Sequence, residues 1–398
     1  MLPSEEIFCT KSRRLYGKTI VLGITGSIAA VESFHLIREL VRHGAKVIPV
    51  MSQEALRLVT ADAMEFASGV RPITEITGRC EHIEHLGSPS DADMLMIYPC
   101  TADTISKIAN GIADTPVTTM AAVALGGNVP VVIAPAMHGL MMQNPAVEKN
   151  LNTLKKMGVF VIGPHDQNGR SRVASVEEMT VWAGRMMSRD DLLGNRILII
   201  GGRSEEPIDS MRLITNRSTG LMAVTLARAA FERGAEVDLW MGACNVELPD
   251  YIPVRRFETV GDLMKMVKNI KHDVVIVPAA LADFSPKKTV KGKITSDKGF
   301  TMDLESVPKV LPEIRKKCAK VIGFKAESGL SGDALKERAK KRLKEYDLTA
   351  IVANDIDAAG KQSAAMILVT ADRVQDISGT KNQISDGILN YVSETIRK

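Results

Sequence analysis

A glycine-rich turn at Gly23–Ala30 (GITGSIAA) could hold a phosphate group. Two glycines and a serine follow an apolar strand pattern there and open a helix, where backbone N–H groups and the helix dipole attract an anion. The turn lacks the GxGxxG spacing and the acidic residue of a dinucleotide fingerprint, which favours a mononucleotide over NAD. A strand-to-helix turn that uses glycine only for its geometry is the alternative. Ser52, at the end of the next strand, could add a hydroxyl to the same crevice.

Two histidines, His82 and His85, lie three residues apart in the segment CEHIEH. An imidazole is suited to general acid–base catalysis near neutral pH, although a packing or surface role is the commoner one for a histidine taken alone. Together with Glu84 the pair could also ligate a metal ion, but no third ligand lies at a helpful spacing. Further polar segments directly follow buried strands at Tyr98–Asp114 and Ala134–Met142, where the methionines could simply fill the core.

The second half of the chain carries its own polar segments at strand ends. In Ile200–Gly220 two glycines end a strand and a polar run precedes a helix, with Ser218 or Thr219 expected as the N-cap. Anion binding and simple capping are both compatible with that run. Asp283 follows another strand, and Lys287–Lys293 (KKTVKGK) supplies positive charge that suits a triphosphate or a solvated loop. Two more strands end in polar groups, at Gly323–Glu327 and Val352–Asp355.

The elements that would position these groups belong to a chain of 398 residues, long enough for two domains with separate cores. Its 45% hydrophobic and 25% charged residues are ordinary for a globular protein, and its net charge of +4 is mild. The basic run Lys336–Lys344 is typical of a solvated helix face, so we expect no nucleic-acid partner. Five cysteines without a CxxC pair argue against a zinc site or a disulfide framework and favour a reducing, cytoplasmic compartment. The uncharged stretch Thr115–Val147 is interrupted by glycine and proline, so we expect no membrane span.

Strand patterns alternate with helix patterns in both halves, which predicts an α/β fold with a parallel sheet covered on both faces. The halves open alike, each with a strand, a glycine-containing turn, a helix (Ile28–His43 or Gly220–Arg233) and a further strand. We place the join between the halves near Asp190–Asn195. Strands are predicted at Thr19–Gly23, Lys46–Met51, Met94–Tyr98, Val129–Ala134, Phe160–Ile162, Arg196–Ile200, Glu236–Met241, Asp273–Val277, Val321–Phe324, Ala350–Ala353 and Met366–Thr370.

Taken together, the segments of the first half resemble the homo-oligomeric flavin-containing cysteine decarboxylases. The G-x-(S/T)-G-(S/G)-I-A-A turn, the HI(E/D)L histidine, the PA-T/S-A-N-T-like segment and the PAMNxxM loop of that family recur in order over Gly17–Trp182. The resemblance implies a flavodoxin-like domain in which FMN oxidises the cysteinyl end of phosphopantothenoylcysteine to a thioaldehyde, which loses its carboxylate before the reduced flavin returns the electrons. His82 would be the catalytic base, and Met137 and His138 would contact the substrate. The residues implied to line FMN are Gly26, Ser27, Ser52, Thr101, Asp103 and Thr104.

The first half departs from that family pattern in two places. The asparagine of the PAMN loop, which would grip the substrate carboxylate, is His138 here, and an imidazole can also donate a hydrogen bond. The clamp sequence ACGxxGxGRM is replaced by GRSRVASVEEM at Gly169–Met179, so the cysteine that would donate a proton in the reductive step is missing. Cys80 or Cys100 could substitute for it. The arginines that could close over the phosphate end of the substrate are Arg170 and Arg172.

The second half resembles the phosphopantothenate–cysteine ligase domain over Asn195–Ile396. The GPTxExxDxVRxIxNxSxG, AA(V)AD(Y/F), KIK, GFxAE and ANDI segments of that family recur in order, with GRSEE in place of GPTRE at Gly202–Glu206. By this resemblance Asn216 would stabilise an acyl-nucleotide intermediate and Arg212 would bind the phosphopantothenate. Mg²⁺ would neutralise the phosphates while the carboxylate attacks the α-phosphorus; CTP is the implied nucleotide, and ATP stays open. The residues implied to hold the nucleotide are Asp283, Lys293, Phe324 and Asn354, and Lys293 is also expected to act in catalysis.

The order of the two resemblances matches fused enzymes of coenzyme A biosynthesis, in which the ligase product is the decarboxylase substrate and 4'-phosphopantetheine is released. We expect two Rossmann-like domains, a decarboxylase domain at 17–189 and a ligase domain at 190–398, with 1–16 as an extension of open role. Family precedent implies small-molecule partners, trimers of the flavin domain and dimers of the ligase domain, which a dodecamer satisfies. Two alternatives stay open: a ligase fused to a decarboxylase with an altered reductive step or cysteine substrate, and a regulatory flavoprotein that acts as a binding module.

Overall fold

The computed structural model describes residues 2–167, 170–295, 299–327, 332–355 and 363–397. The chain divides into two compact units, Met1–Ser188 and Arg189–Lys398, and each unit has its own main sheet and its own core. Within the described residues, none of the helices is long and apolar enough to cross a membrane.

The first unit alternates strands and helices. Its strands are β1 (Thr19–Ile24), β2 (Lys46–Met51), β3 (Met94–Cys100), β4 (Val131–Pro135), β5 (Phe160–Val161), β6 (His165–Gln167) and β7 (Arg170–Arg172). Its helices are α1 (Pro3–Ile7), α2 (Val31–Arg42), α3 (Gln53–Leu56), α4 (Ala61–Ser68), α5 (Glu81–Leu86), α6 (Ala102–Ala109), α7 (Pro116–Gly126), α8 (Gly139–Met142), α9 (Pro145–Lys156) and α10 (Val176–Met186).

Five parallel strands form the main sheet of the first unit, in the order β2-β1-β3-β4-β5. This is the strand order of flavodoxin-like folds, which confirms the fold class expected for the first half. Successive side chains of a strand point to opposite faces of the sheet. In β1, Ile20 and Leu22 therefore pack in the core on one face, and Val21 packs in the core on the other face. Each is fully buried and contributes roughly 1.5–3 kcal/mol to folding.

The residues before β1 pack against the rest of the first unit. Helix α1 contacts α2 and α4. Leu15 has no exposed surface, and its N–H donates to the His43 carbonyl at 2.9 Å. The Cys9 N–H donates to the Val41 carbonyl at 3.3 Å. Residues 3–16 therefore contribute to the core of this unit and to the end of α2.

The second unit repeats the alternation on a larger sheet. Its strands are β8 (Arg196–Gly201), β9 (Glu205–Pro207), β10 (Leu213–Thr215), β11 (Glu236–Met241), β12 (Val254–Arg256), β13 (Val274–Val277), β14 (Phe284–Pro286), β15 (Leu304–Ser306), β16 (Val321–Glu327), β17 (Ala350–Asp355), β18 (Ser363–Val369) and β19 (Val374–Thr380). Its helices are α11 (Leu221–Glu232), α12 (Val260–Val267), α13 (Val310–Arg315), α14 (Gly332–Glu345) and α15 (Lys381–Ile396).

The main sheet of the second unit has the order β12-β11-β8-β13-β16-β17-β18-β19. Its first six strands are parallel and follow the 3-2-1-4-5-6 order of the Rossmann fold, which confirms the Rossmann-like expectation. The expectation of a wholly parallel sheet is wrong at one edge, because β18 and β19 run antiparallel to their neighbours. A short connection between them lets β19 pair directly with β18, whereas a parallel neighbour needs a long crossover.

Several predicted boundaries shift by a few residues. The helix predicted from Ile28 begins with a 3-10 turn at Ile28–Ala30, because the Ala30 N–H bonds back to the Ser27 carbonyl at 2.8 Å. The strand predicted from Val129 begins at Val131, since the Val129 N–H still bonds to the end of α7. Several other strands extend further than predicted where their ends still pair with neighbours, as β16 does to Glu327.

Candidate functional site

Thr25 connects the loop after β1 to the end of β3, at the point of the first sheet where the strand order reverses. The strand order reverses between β1 and β3, and ligands in such folds bind at the carboxyl ends of the strands there. Thr25, directly after β1, donates its hydroxyl to the Pro99 carbonyl at 2.7 Å and accepts the Thr101 N–H at 3.1 Å. Thr25 is buried. The sequence interpretation did not single it out, although it occupies the threonine position of the GITG motif.

Three hydroxyl residues expected to line a flavin begin helices along this same edge. Ser27, Ser52 and Thr101 follow β1, β2 and β3, and each side chain accepts a backbone N–H of the helix that it opens, at 3.4, 3.2 and 3.3 Å. The Ser52 N–H also bonds to the Ile24 carbonyl at 3.0 Å, which ties the second loop to the first strand. The edge therefore presents several helix N-termini, an arrangement suited to a phosphate.

The other residues expected near a flavin lie on α6. Thr104 is buried, and its hydroxyl lies 3.0 Å from that of Thr101. Asp103 is largely exposed and forms an ion pair with Lys107 at 3.1 Å. The hydrogen bonds that Lys107 donates to Asp103 and then to Asp114 raise the pKa of Lys107. The structure thus brings Thr101 and Thr104 together and directs Asp103 into a separate surface ion pair.

Gly26 occupies a position where a side chain would displace the loop. A Cβ added there would lie 2.3 Å from Glu54 Cβ, and overpacking of this kind costs roughly 1–3 kcal/mol. We expect Gly26→Ala to move the turn away from α3 and to weaken flavin binding roughly tenfold or more, as measured by titrating the flavin-free protein. Gly126→Ala is the matched control, because nothing lies within 4 Å of a Cβ at that helical position. Equal flavin affinity in both variants would contradict this account of the turn.

His82 lies on α5, and its Nδ1 is buried without a hydrogen-bond partner among the described residues. A buried imidazole nitrogen without a partner is uncommon, because an unsatisfied polar atom costs free energy, so the His82 position is a candidate for a functional role. Cys80, two residues earlier, is exposed. Cys100, at the end of β3, is fully buried, and burial raises the pKa of its thiol. Of the two proposed substitutes for the missing cysteine, only Cys80 is open to a ligand.

His138 opens α8, where the sequence interpretation placed a substrate contact. Its Nδ1 accepts the Leu140 N–H at 3.3 Å, so the proton of the neutral ring lies on Nε2. The exposed ring can therefore donate through Nε2, as an asparagine amide would. Met137, beside it, is partly buried and packs on the core formed by α6, α7 and α9.

The segment that replaces the family clamp, Gly169–Met179, supplies β7, which pairs with β6 as a hairpin, and the start of α10. Residues 168 and 169 and the Arg170 side chain lie outside the description. Arg172 is exposed on β7. At the base of the hairpin, the His165 ring lies 2.6 Å from the buried Glu178 carboxylate. The Tyr98 hydroxyl donates to the Ala174 carbonyl at 3.0 Å, which holds the end of the hairpin against β3.

The second unit has its own switch point, between β8 and β13. Gly202 has a φ of +75°, and a Cβ there would lie 2.8 Å from the Ala243 carbonyl oxygen, so the turn requires glycine. The Ala280 N–H, after β13, donates to the Gly202 carbonyl at 2.9 Å. Asn216 Nδ2 donates to the Ala280 carbonyl at 3.1 Å, which places Asn216 over the reversal of strand order.

The departure from the ligase pattern at Arg203 is accommodated within this crevice. The Arg203 guanidinium donates to the Ser218 carbonyl at 2.9 Å and to Asn245 Oδ1 at 2.6 Å. The prediction that Ser218 or Thr219 is the N-cap of α11 is wrong. The N-cap is Gly220, which has the left-handed conformation and no side chain to accept a hydrogen bond. The Ser218 and Thr219 hydroxyls instead lie 3.4 Å from the N–H groups of Gly220 and Leu221.

Of the other residues expected to bind the nucleotide or phosphopantothenate, some lie close together and others do not. Arg212, near the tip of the β9–β10 hairpin, donates to the Ile294 carbonyl at 3.1 Å, so it lies beside the exposed Lys293. Phe324 and the buried Asn354 lie on the neighbouring strands β16 and β17. Asp283 is exposed and forms an ion pair with Lys309, rather than with Lys293.

The described residues contain no group of three or more histidine, cysteine or acidic side chains placed to hold a metal ion. In that part of the chain, His82 and His85 therefore lack the further ligands that a protein-bound metal requires.

Comparison with known proteins identifies relatives of both units. Residues 9–183 match the family model described as flavoprotein, and residues 192–396 match that of the DNA/pantothenate metabolism flavoprotein C-terminal domain. The chain is 40% identical over 399 residues to the coenzyme A biosynthesis bifunctional protein CoaBC of Thermococcus kodakarensis, with 98% of each chain covered. It is 36% identical over 408 residues to the protein of the same name from Methanocaldococcus jannaschii, covering 100% of this chain and 98% of the relative. The Bacillus subtilis protein of that name is 32% identical over 366 residues, 87% of this chain and 88% of the relative.

Proposed function

The chain belongs to the family of bifunctional coenzyme A biosynthesis proteins, and from this membership we propose that it carries two consecutive activities. The second unit is a phosphopantothenate–cysteine ligase, and the first is an FMN-dependent phosphopantothenoylcysteine decarboxylase that converts the ligase product to 4'-phosphopantetheine. The observation that carries this proposal is that each half places motif residues at the switch point of its own sheet. The enzyme acts in the cytoplasm on small molecules.

In the decarboxylase unit, the helix N-termini opened by Ser27, Ser52 and Thr101 hold FMN, with Gly26 keeping the turn close to α3. Thr104 and Asp103 on α6 complete this set. The bound FMN supplies a two-electron acceptor for the cysteinyl group and later returns the electrons.

Two histidines act on the substrate of the decarboxylase unit. His82 is the base, because it stands at the histidine position of the HI(E/D)L motif on α5, whereas His85, whose Nδ1 is buried in the same way, does not. His138 donates from Nε2 to the substrate carboxylate, with Met137 packed beside it. The cationic Arg172 on β7 is available to the phosphate end of the substrate.

In the ligase unit, Arg212 binds the phosphate of 4'-phosphopantothenate, and Lys293 on the neighbouring loop binds the nucleotide phosphates and assists catalysis. Asn216 stabilises the acyl-nucleotide intermediate at the switch point, where its amide is held by the Ala280 carbonyl. The nucleotide also contacts Asp283, Phe324 and Asn354. Attack of the substrate carboxylate on the α-phosphorus releases diphosphate, and the cysteine amine then displaces the nucleotide. Mg²⁺ reaches the site bound to the nucleotide phosphates.

The nucleotide and the flavin can be identified in one preparation. We expect the purified protein to be yellow and to release FMN on denaturation, as read by mass spectrometry. With 4'-phosphopantothenate, cysteine and Mg²⁺, we expect diphosphate release with CTP and little with ATP. Release with ATP alone would overturn the choice of CTP, and a colourless protein that does not take up FMN would overturn the decarboxylase assignment.

Cys80 is the proton donor that replaces the missing clamp cysteine, because it is exposed and begins the segment that carries His82, whereas Cys100 is buried. We expect Cys80→Ser to slow the formation of 4'-phosphopantetheine by roughly a hundredfold, a typical contribution of a positioned acid, while diphosphate release by the ligase is unchanged. Cys9→Ser is the control. Unchanged 4'-phosphopantetheine formation would exclude Cys80, and an enethiol product from the wild type would favour the alternative of an altered reductive step.

The enzyme assembles as a homo-oligomer, with trimers of the flavin unit and dimers of the ligase unit in a dodecamer. Exposed apolar side chains near the flavin edge support an interface there: Ile28 is 76% exposed after β1, and Leu140 is 73% exposed after β4. Native mass spectrometry of the flavin-loaded protein tests this assembly, and a monomer would contradict it. The alternative of a regulatory binding module requires that both activities be absent.

A further inference from the structure

Asp209 lies at the tip of the β9–β10 hairpin, and its carboxylate accepts four hydrogen bonds. Oδ1 accepts the backbone N–H groups of Met211 and Arg212, both at 2.7 Å. Oδ2 accepts Arg212 Nη1 at 2.7 Å and the backbone N–H of Ile294 at 3.0 Å. The Asp209 side chain has no exposed surface. A carboxylate so enclosed is fixed in place, because every lone pair that it can offer is used.

These bonds join the hairpin tip to the lysine loop, defined as residues 287–295. The Val290 N–H donates to the Ile208 carbonyl at 3.0 Å. The Ser210 N–H donates to the Gly292 carbonyl at 3.2 Å, and the Gly292 N–H returns a bond to Ser210 Oγ at 3.2 Å. Ile294, held by Asp209, is the residue after Lys293. Asp209 is therefore the common anchor of the segments that carry Arg212 and Lys293.

The same carboxylate sets the direction of the Arg212 side chain. Arg212 Nη1 bonds to Asp209 Oδ2 and to the Ile294 carbonyl, so one side of the guanidinium is fixed. The Nε and Nη2 donors take no part in these two bonds, and the side chain is 43% exposed. A guanidinium oriented in this way can bind a phosphate through two parallel hydrogen bonds.

The charge of Asp209 is retained over the whole range in which the enzyme would work. The N–H of Ile294, followed by those of Met211 and Arg212, lowers the pKa of the Asp209 carboxyl to about 2. Because this value lies below the roughly 3.9 of an unfolded aspartate, the stability from these bonds is fully present above about pH 4. That stability is lost as the pH falls through about 2.

We propose that Asp209 is a positioning residue of the ligase reaction, which holds Arg212 for the phosphate of 4'-phosphopantothenate and holds Lys293 for the nucleotide. This inference rests on the proposed function of the second unit. Asp209 touches neither substrate, and its effect passes through the two cations that it places.

Asp209→Asn tests the proposal, because an amide nitrogen in place of Oδ2 would face the donors of Arg212 and Ile294. We expect kcat/KM for 4'-phosphopantothenate to fall roughly ten- to a hundredfold, and the KM for the nucleotide to rise. With pantothenate, which has no phosphate, the fall is smaller, so the preference for the phosphorylated substrate shrinks. Arg212→Gln shrinks the same preference, and the double variant adds little to it, since the two residues act as a unit.

Asp262→Asn is the matched control, because Asp262 also accepts several hydrogen bonds in this unit but serves as a helix cap at α12. Circular dichroism and thermal unfolding report whether the second unit of each variant is folded, because the decarboxylase activity depends on the first unit. If Asp209→Asn fails to fold, Asp209→Glu replaces it, because it keeps the charge but displaces the carboxylate. An unchanged preference for phosphorylated substrate in the folded variant, or an equal fall with both substrates, would overturn the positioning role. A wild-type protein without ligase activity would instead remove the proposed function.

Discussion

His82→Asn should abolish nearly all formation of 4'-phosphopantetheine from 4'-phospho-N-pantothenoylcysteine. Asparagine keeps a polar side chain of similar reach but cannot take up a proton, so the contribution of general acid–base catalysis, roughly a hundred- to ten-thousandfold, is lost. The expectation rests on the position of His82 in the HI(E/D)L motif on α5, because the buried Nδ1 without a partner in the described residues is a feature that His85 shares. The measurement is single-turnover product formation with synthetic substrate, so that the ligase takes no part.

His85→Asn provides the matched control for this prediction. His85 lies on the same helix, and its Nδ1 is also buried without a partner in the described part of the chain. We expect the control to retain most of the decarboxylase activity, and both variants to bind flavin and to release diphosphate as the wild type does. A full rate in His82→Asn, or an equal loss in the two variants, would mean that His82 is not the base.

Asn216→Asp should nearly eliminate the ligase while leaving the decarboxylase intact. The change replaces the side-chain NH2 group, one N–H of which donates to the Ala280 carbonyl, with an oxygen, so it removes the second N–H as a donor to the intermediate and places a negative charge next to that carbonyl and to the acyl-nucleotide phosphate. Loss of one donor at a site of developing charge costs roughly a hundred- to a thousandfold in kcat, and the added charge acts in the same direction. The readout is diphosphate release with 4'-phosphopantothenate and CTP, measured with and without cysteine to separate the two half-reactions.

Asn269→Asp is the control for the charge itself, because Asn269 is exposed in the same unit and lies after α12. The control should show wild-type diphosphate release. If Asn216→Asp releases diphosphate at the wild-type rate in both conditions, Asn216 has no role in forming the intermediate, and the site at the β8–β13 switch point would need another explanation.

The sequence pattern predicted the fold well where apolar residues fill a strand without interruption. Lys46–Met51 was predicted with the bounds that the structure has, because Gly44 ends the preceding helix and the apolar run Val47–Met51 stops at Ser52. The antiparallel pair β18 and β19 was not foreseen, since the direction of an edge strand depends on the length of its connection and not on its own composition. The N-cap of α11 was predicted wrongly because it also depends on a contact with another segment. Serine and threonine are the more common N-cap residues, but Cys244 packs so close to Gly220 that only glycine fits there.

Site residues could be predicted where a motif residue follows the end of a strand. They could not be predicted where the role of a residue depends on a partner far away in the sequence. Ser27, Ser52 and Thr101 were identified from strand ends and family motifs, and the structure places them along one edge. Thr25 and Asp209 received no role, although they stand at the (S/T) position of the first motif and the D position of the ligase motif, because a motif match does not reveal which groups a side chain bonds to. Their partners, Pro99 and Ile294, lie 74 and 85 residues away in the chain.

The most direct test of the central claim is conversion of 4'-phosphopantothenate by the purified, flavin-loaded protein alone. Cysteine, Mg²⁺ and CTP are supplied, and products are followed by mass spectrometry. We predict that 4'-phospho-N-pantothenoylcysteine appears only transiently and that 4'-phosphopantetheine accumulates in an amount equal to the CTP consumed. Accumulation of 4'-phospho-N-pantothenoylcysteine as the end product would contradict the claim, because the chain would then be a ligase without the decarboxylase.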